Sequence, residues 1–169
     1  MPATRLKSQL MSGPEIDRTL VRLAHEVVKK NEGLDRLAGK IKHLEGRTLP
    51  VGSLDITLYR DDRSLVGDRP VVNATDIPFE ITGQDVILVD DVLYTGRTTC
   101  AALDALFDHG RPRTVQLCTL IARGHRQLPV EARFVGKAIP TGENESIEVN
   151  VGPIDGRDRV LLVEEEDEA

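Results

Sequence analysis

Residues 86–89, Val-Ile-Leu-Val, form an unbroken apolar run that ends in Asp90 and Asp91 and leads, through a small polar loop, into a helical pattern. A short apolar run without alternation is the mark of a strand covered on both faces. The helical pattern that follows places Leu103, Leu106 and Phe107 inward and stops at Gly110. Residues 115–121 make the next buried strand. Strand, helix and strand in that order require a parallel sheet with a right-handed crossover. The expected class is α/β, a parallel sheet flanked by helices.

The rest of the chain fits around that unit. Ser12-Gly13-Pro14-Glu15 reads as a capping box with proline in the first turn. The helix behind it puts Ile16, Leu20, Leu23 and Val27 on one stripe, and Arg18, Arg22, His25 and Lys29 on the opposite face. On periodicity alone, that basic stripe is a solvated surface. A second helical pattern carries Leu34, Leu37, Ala38, Ile41 and Leu44 and ends before Gly46. Leu54, Ile56 and Leu58 alternate with Asp55, Thr57 and Tyr59, as in a strand. Residues 60–83 have no clear period, and a loop of that length commonly serves as an active-site lid. Weaker strands are expected at 133–135, 147–151 and 159–163.

With 169 residues, 40% of them hydrophobic, the chain suits a single domain with a full core. The expected division is a domain over 1–163 and an acidic tail over 164–169. The formal net charge is −6, but residues 164–168 carry five of those negatives, so the body sums to −1 and can hold basic faces. Cys100 and Cys118 sit in apolar stretches without a CxxC or Cys/His cluster, as reduced core residues would. No apolar run approaches the roughly 20 residues of a membrane span, and a cytoplasmic protein without membrane contact is expected.

The chemistry concentrates in residues 86–99. In a parallel sheet, ligands bind beyond the carboxyl ends of the strands. Thr95 to Thr99 supply hydroxyls, a glycine for close backbone approach and the free amides of a helix N-terminus, a combination that favours phosphate. The adjacent carboxylates repel an anion and suit hydroxyls or a developing cation. A ribose 5-phosphate presents both. The stretch has neither the GxxxxGK[ST] of P-loop proteins nor the GxGxxG of dinucleotide folds. The plain structural alternative is an aspartate pair that caps the next helix.

Residues 86–98 resemble the phosphoribosyl pyrophosphate (PRPP) motif of type I phosphoribosyltransferases. Other stretches are similar to the branch of that family that regulates pyrimidine operons. They are Arg22-Leu-Ala-His25-Glu26, Leu54-Asp-Ile-Thr-Leu-Tyr-Arg60-Asp61-Asp62, residues 105–112, Arg123-Gly-His-Arg126 with Leu128-Pro129, Gly136-Lys137, and Ile139-Pro140-Thr141. The resemblance implies a type I phosphoribosyltransferase fold with a flexible active-site loop, and conversion of uracil and PRPP to UMP and pyrophosphate with Mg²⁺. It implies that Asp90 and Asp91 hold the ribose hydroxyls in the catalytic step. Leu93, Tyr94, Thr95, Gly96, Arg97, Thr98 and Thr99 would hold the 5-phosphate. Arg60, Asp61 and Asp62 would begin the closing loop, and Ala122, Arg123 and Gly124 would lie beside the uracil. The metal would come with PRPP, without a site made by protein alone.

The resemblance further implies binding of a leader stem-loop of pyrimidine operon mRNA, promoted by UMP or UTP, and a homodimer or higher oligomer. Arg22, His25, Arg126 and Lys137 become the RNA candidates, and with aromatics at 3% phosphate charge and shape must dominate over stacking. The chain also departs from the family. Between its two N-terminal helical patterns the family has a buried strand and a Thr-Arg-Gly-type pyrophosphate loop, whereas Asn31-Glu-Gly-Leu-Asp35 here runs into Arg36-Leu-Ala-Gly-Lys40. Loss of an inner strand would leave a gap in the core. A segment merely unseen would show as a Cα spacing between Asn31 and Leu37 far above the ~3.8 Å of a trans peptide; an intact chain there would mean a deletion and little transferase activity. Glu131, Arg133, Ala122 and Ala138 also differ from the family's usual residues, and Glu131 adds a negative charge to the face expected to meet RNA. The alternative function is a nucleotide-sensing or RNA-binding regulator with little or no transferase activity. A purine-specific transferase is disfavoured by the 54–62 and 123–129 blocks.

Overall fold

The computed structural model describes residues 4–28, 35–46, 48–56 and 75–165. Its elements are β1 (Thr4–Ser12), α1 (Gly13–Val28), α2 (Asp35–Glu45), β2 (Asp85–Leu93), α3 (Arg97–Asp108), β3 (Thr114–Arg123), β4 (Phe134–Ile139), β5 (Glu145–Asn150), α4 (Gly152–Asp155) and β6 (Arg159–Glu165). Strands β2, β3 and β4 form a parallel sheet in that order, with α3 as the crossover between the first two. This is the α/β unit that the apolar runs predict.

The carboxylate half of the capping box forms. The Glu15 carboxylate accepts from the Ser12 N–H at 2.8 Å and from its hydroxyl at 2.6 Å, and these bonds draw its pKa below the usual carboxylate value. Helix α1 then buries Ile16, Leu23, Ala24 and Val27 and exposes Arg18, Arg22 and His25. Leu23, Ala24 and Val27 join Ile41 of α2, Ile87, Cys118 and Phe134 in one core cluster, so α1 and α2 pack over one face of the parallel sheet. Lys40 ties the two helices together through Asp17 at 2.7 Å. Gly136 lets β4 approach this layer: a Cβ there would stand 2.3 Å from the Leu120 carbonyl oxygen and 2.9 Å from Thr19.

Five expectations change. A second, antiparallel sheet of order β1-β6-β5 stands beside the parallel one. Its first strand was hidden because Leu6 is 57% exposed and only Met11 of β1 is buried, so alternation is faint. Residues 54–56 are not in a strand; Ser53 makes an isolated antiparallel bridge to Asp76, and the Asp55 N–H goes to the Thr75 hydroxyl at 3.0 Å. Phe107 is exposed under the Arg111 guanidinium, because Ala101, Ala102, Ala105 and Leu106 fill the inner side of α3. The buried strand also runs further than its apolar run, through both aspartates to Leu93, because the ladder to β3 continues to Ala122. Strand β6 reaches Glu165, two residues into the acidic run.

Both cysteines are free thiols; burial pushes the Cys118 pKa up to about 11, and Cys100 is half-buried. Among the described residues no helix is long and apolar enough to cross a membrane. The expected break between Asn31 and Leu37 falls chiefly on residues 29–34, outside the described ones, as do Leu58, Arg60, Asp61 and Asp62 of the strand and loop expectations.

Candidate active site

Strand β2 delivers Asp90 and Asp91 at its carboxyl end, half-buried and exposed respectively. As consecutive strand residues they leave the backbone toward opposite faces. Asp90 Oδ1 accepts the Asp91 N–H at 3.0 Å, and Asp91 Oδ1 accepts the Val92 N–H at 2.7 Å. The Thr119 hydroxyl of β3 donates to the Asp91 carbonyl at 3.3 Å, tying the strand end to its neighbour.

The chain then turns through Tyr94, Thr95 and Gly96 into α3. Gly96 is the N-cap, at φ 93°, and no side chain caps the helix. Glycine is required twice over there, since the left-handed region strains other residues and a Cβ would meet Val130 at 3.3 Å and Leu128 at 3.4 Å. The first amides of a helix have no intrahelical partner. That of Arg97 reaches the Thr95 hydroxyl at 3.3 Å, a long bond. Thr99 is 4% exposed, and its hydroxyl is, among the described residues, the one buried side-chain polar atom with no hydrogen-bond partner. Thr98, Thr99, Asp90 and Asp91 all border a cavity of about 1210 Å³ that extends along β2 between residues of α1 and α3.

The end of β3 builds the other wall. Arg123 is 5% exposed; its Nε donates to the Thr141 hydroxyl at 3.0 Å and its Nη2 to the Glu145 carbonyl at 2.6 Å. The guanidinium lies 3.8 Å from the centre of the Tyr94 ring, a cation–π contact. Tyr94 in turn meets the His125 ring edge-on at 6.1 Å. His125 holds φ 64° and bonds the Thr141 carbonyl through Nε2 at 2.7 Å. Arg123 thus joins the loop after β2 to the 141–145 turn, with Ala122 and Gly124 on either side. Lys7 closes this turn from β1 through Glu145 at 2.5 Å, which lowers the Glu145 pKa.

The RNA candidates are dispersed. Arg22 Nη2 donates to the carbonyls of Val135 at 2.9 Å and Gly136 at 2.6 Å, while its Nη1 pairs with Glu26. Lys137, next in β4, donates to the Leu10 carbonyl at 3.1 Å. These two meet around one edge strand, with His25 a turn along α1 on the Val21 carbonyl at 2.9 Å. Arg126 lies apart, against the loop after β2. Sequence reasoning did not find the service of residues 126–130 to that loop, nor Thr141 and Glu145. An arginine followed by a polar turn carries no spacing that separates a buried anchor from a surface cation.

The two strand-end carboxylates thus stand directly before a strand–helix turn, in an α/β domain. The Phosphoribosyl transferase domain model matches residues 30–153, and the chain belongs to that family. Within it the chain belongs with the proteins named bifunctional protein PyrR. It is 51% identical to the one from Thermus aquaticus over 178 positions, covering 96% of this chain and 98% of the relative. It is 48% identical to the one from Pelotomaculum thermopropionicum over 176 positions, covering 95% and 97%. Among solved structures, a hypoxanthine-guanine phosphoribosyltransferase from Bacillus anthracis superposes with a TM-score of 0.63 at 23% identity, over 95% of this chain and 99% of the other, which shows the shared fold.

Proposed function

We propose that this chain is a bifunctional pyrimidine regulator, converting uracil and PRPP to UMP and pyrophosphate and binding the leader of pyrimidine operon mRNA in a UMP- or UTP-dependent way to attenuate transcription. The observation that carries the catalytic half is the juxtaposition at the end of β2: two carboxylates followed at once by an uncapped helix N-terminus. Amides of Leu93 to Thr99 hold the 5-phosphate, and Asp90 and Asp91 take the ribose hydroxyls. Transfer passes through an oxocarbenium-like state, which fixed negative charge stabilises. Ala122, Arg123 and Gly124 offer the uracil edge, and Arg60, Asp61 and Asp62 begin the loop that excludes water. Mg²⁺ would come with the diphosphate of PRPP, where it eases departure of pyrophosphate.

The regulatory half rests on Arg22, His25 and Lys137 around α1 and β4, with Arg126, and on the near-full-length similarity to PyrR proteins. The protein works in the cytoplasm, as a homodimer or larger. A second reading, a nucleotide sensor with little transferase activity, draws on one observation, the cavity along β2 where a pyrophosphate-side strand would lie. Formation of UMP from labelled uracil and PRPP separates the two. Asp90→Asn with Asp91→Asn is expected to abolish PRPP binding in calorimetry while the chain still melts cooperatively; unchanged affinity would refute the site.

A further inference from the structure

We infer that Arg126 is a positioning residue for the phosphate loop: it turns the loop's carbonyls inward so that consecutive amides face the ligand. The inference rests on the phosphoribosyl reading above. Arg126 Nη1 takes the carbonyl of Leu93 at 2.9 Å and that of Tyr94, and anchors itself on the Arg123 carbonyl at 2.8 Å. The next carbonyl, of Thr95, accepts from the N–H groups of Gln127 at 3.0 Å and Leu128 at 3.2 Å. Three successive carbonyls are thus drawn onto the turn after β3.

In a trans peptide unit, a carbonyl and the following N–H point in opposite directions, and no cis bond is present. Holding those three carbonyls inward leaves the amides of Tyr94, Thr95 and Gly96 on the opposite side of the loop. Aligned amides just ahead of a helix N-terminus make an anion-binding concavity. The same turn backs the loop elsewhere, through Arg97 Nε on the Gln127 side-chain oxygen at 3.1 Å and through Leu128 and Val130 beneath Gly96. Arg126 is half-buried, and burial draws its pKa below the ordinary arginine value. A lysine keeps the charge but has a different reach and no planar donor array.

The test compares UMP with uridine, which lacks the phosphate. Arg126→Lys and Arg126→Gln are each expected to weaken UMP binding roughly tenfold or more in calorimetry, the worth of about one charge-assisted hydrogen bond. Uridine affinity stays as in the wild type, and the KM for PRPP rises with the UMP dissociation constant. UMP binding left intact while leader RNA binding falls would make Arg126 an RNA contact alone, with no part in positioning the loop, and overturn the inference. So would an equal loss for UMP and uridine, which marks a general structural role. A wild-type chain that binds UMP no better than uridine would overturn the phosphoribosyl reading itself, and this inference with it.

Discussion

Along one edge, β2 pairs with β3 from Asp85 opposite Thr114 to Leu93 opposite Ala122; along the other, among the described residues, it has no strand partner and borders a cavity of about 1210 Å³. Both Ile87 and Val89 border that cavity from the same strand face, yet Ile87, packed under α1 and α2, is 4% exposed and Val89 is 49% exposed. A strand that is apolar on both faces belongs in the middle of a sheet. A parallel neighbour must arrive through a crossover of a dozen or more residues, and β3 does so through α3. The proposed site, at the end of β2, is backed by residues 123–130 on the paired side, and Asp90, Asp91, Thr98 and Thr99 border the cavity. A phosphate cradle needs only one strand–turn–helix unit, whereas a two-sided sheet needs the whole order of the chain.

The largest effect expected from this contrast is on stability. Ile87→Ala removes a side chain from the cluster with Leu23, Val27, Ile41 and Phe134, and should cost about 2–5 kcal/mol in urea unfolding. Val89→Ala, two residues away, should stay within about 0.5 kcal/mol. Equal costs would mean that the open edge is as well packed as the paired one. Next comes Gly96→Ala, which meets both the left-handed backbone and the Leu128–Val130 contact. Strain of about 1–3 kcal/mol is expected there, with UMP affinity falling alongside it; a variant that binds UMP normally would show that the loop's geometry does not set the cradle.

The motif at 86–99 was legible because its signals are local: an apolar run, small polar residues and a helical period lie within one stretch. So was the Ser12–Glu15 box. Strands β5 and β6 were expected near their places, but β1 was not, because it pairs with β6, residues more than a hundred positions away, and most of the β1 side chains described are exposed. The alternation misled over residues 54–56, the part of it that the structure describes, for the same reason, since alternation specifies a face but cannot supply a ladder partner. At the proposed site, the position of Asp90, Asp91 and the loop after them at a strand–helix junction could be read from the text of the chain. The anchoring of that loop by Arg126, Gln127 and Leu128 could not, because carbonyl acceptors leave no trace in side-chain identity.

The basic face gives a smaller effect. Arg22 spends its guanidinium on the β4 carbonyls and Glu26, yet its side chain remains 46% exposed. Arg22→Ala should weaken leader RNA binding a fewfold at low salt and reduce the salt slope by about one. UMP formation should be unchanged, since Arg22 lies apart from the β2 loop. If RNA binding also survives, the stripe on α1 is a solvated face and the contrast between the two halves of the site concerns the nucleotide alone.

The smallest expected effect lies at the start of the paired edge, where Asp85 of β2 meets the first residues of β3. Its carboxylate takes Arg113 Nε at 2.9 Å and the Thr114 hydroxyl at 2.8 Å. The Arg113 bond first, and the Thr114 bond second, lower the Asp85 pKa to about 2 from an ordinary 3.8. A carboxylate whose pKa is depressed on folding contributes stability that is fully present above its unfolded pKa and is lost as pH falls through the folded one. The window here is therefore from near pH 4 down to near pH 2. Asp85→Asn should flatten the fall in melting temperature across that window and lower it at pH 7 by the same amount, a small one because the pair is exposed and screened by solvent. An Asn variant that tracks the wild type from pH 4 to pH 2 would show that this tie contributes nothing to holding β2 against β3, and that burial alone makes the paired edge.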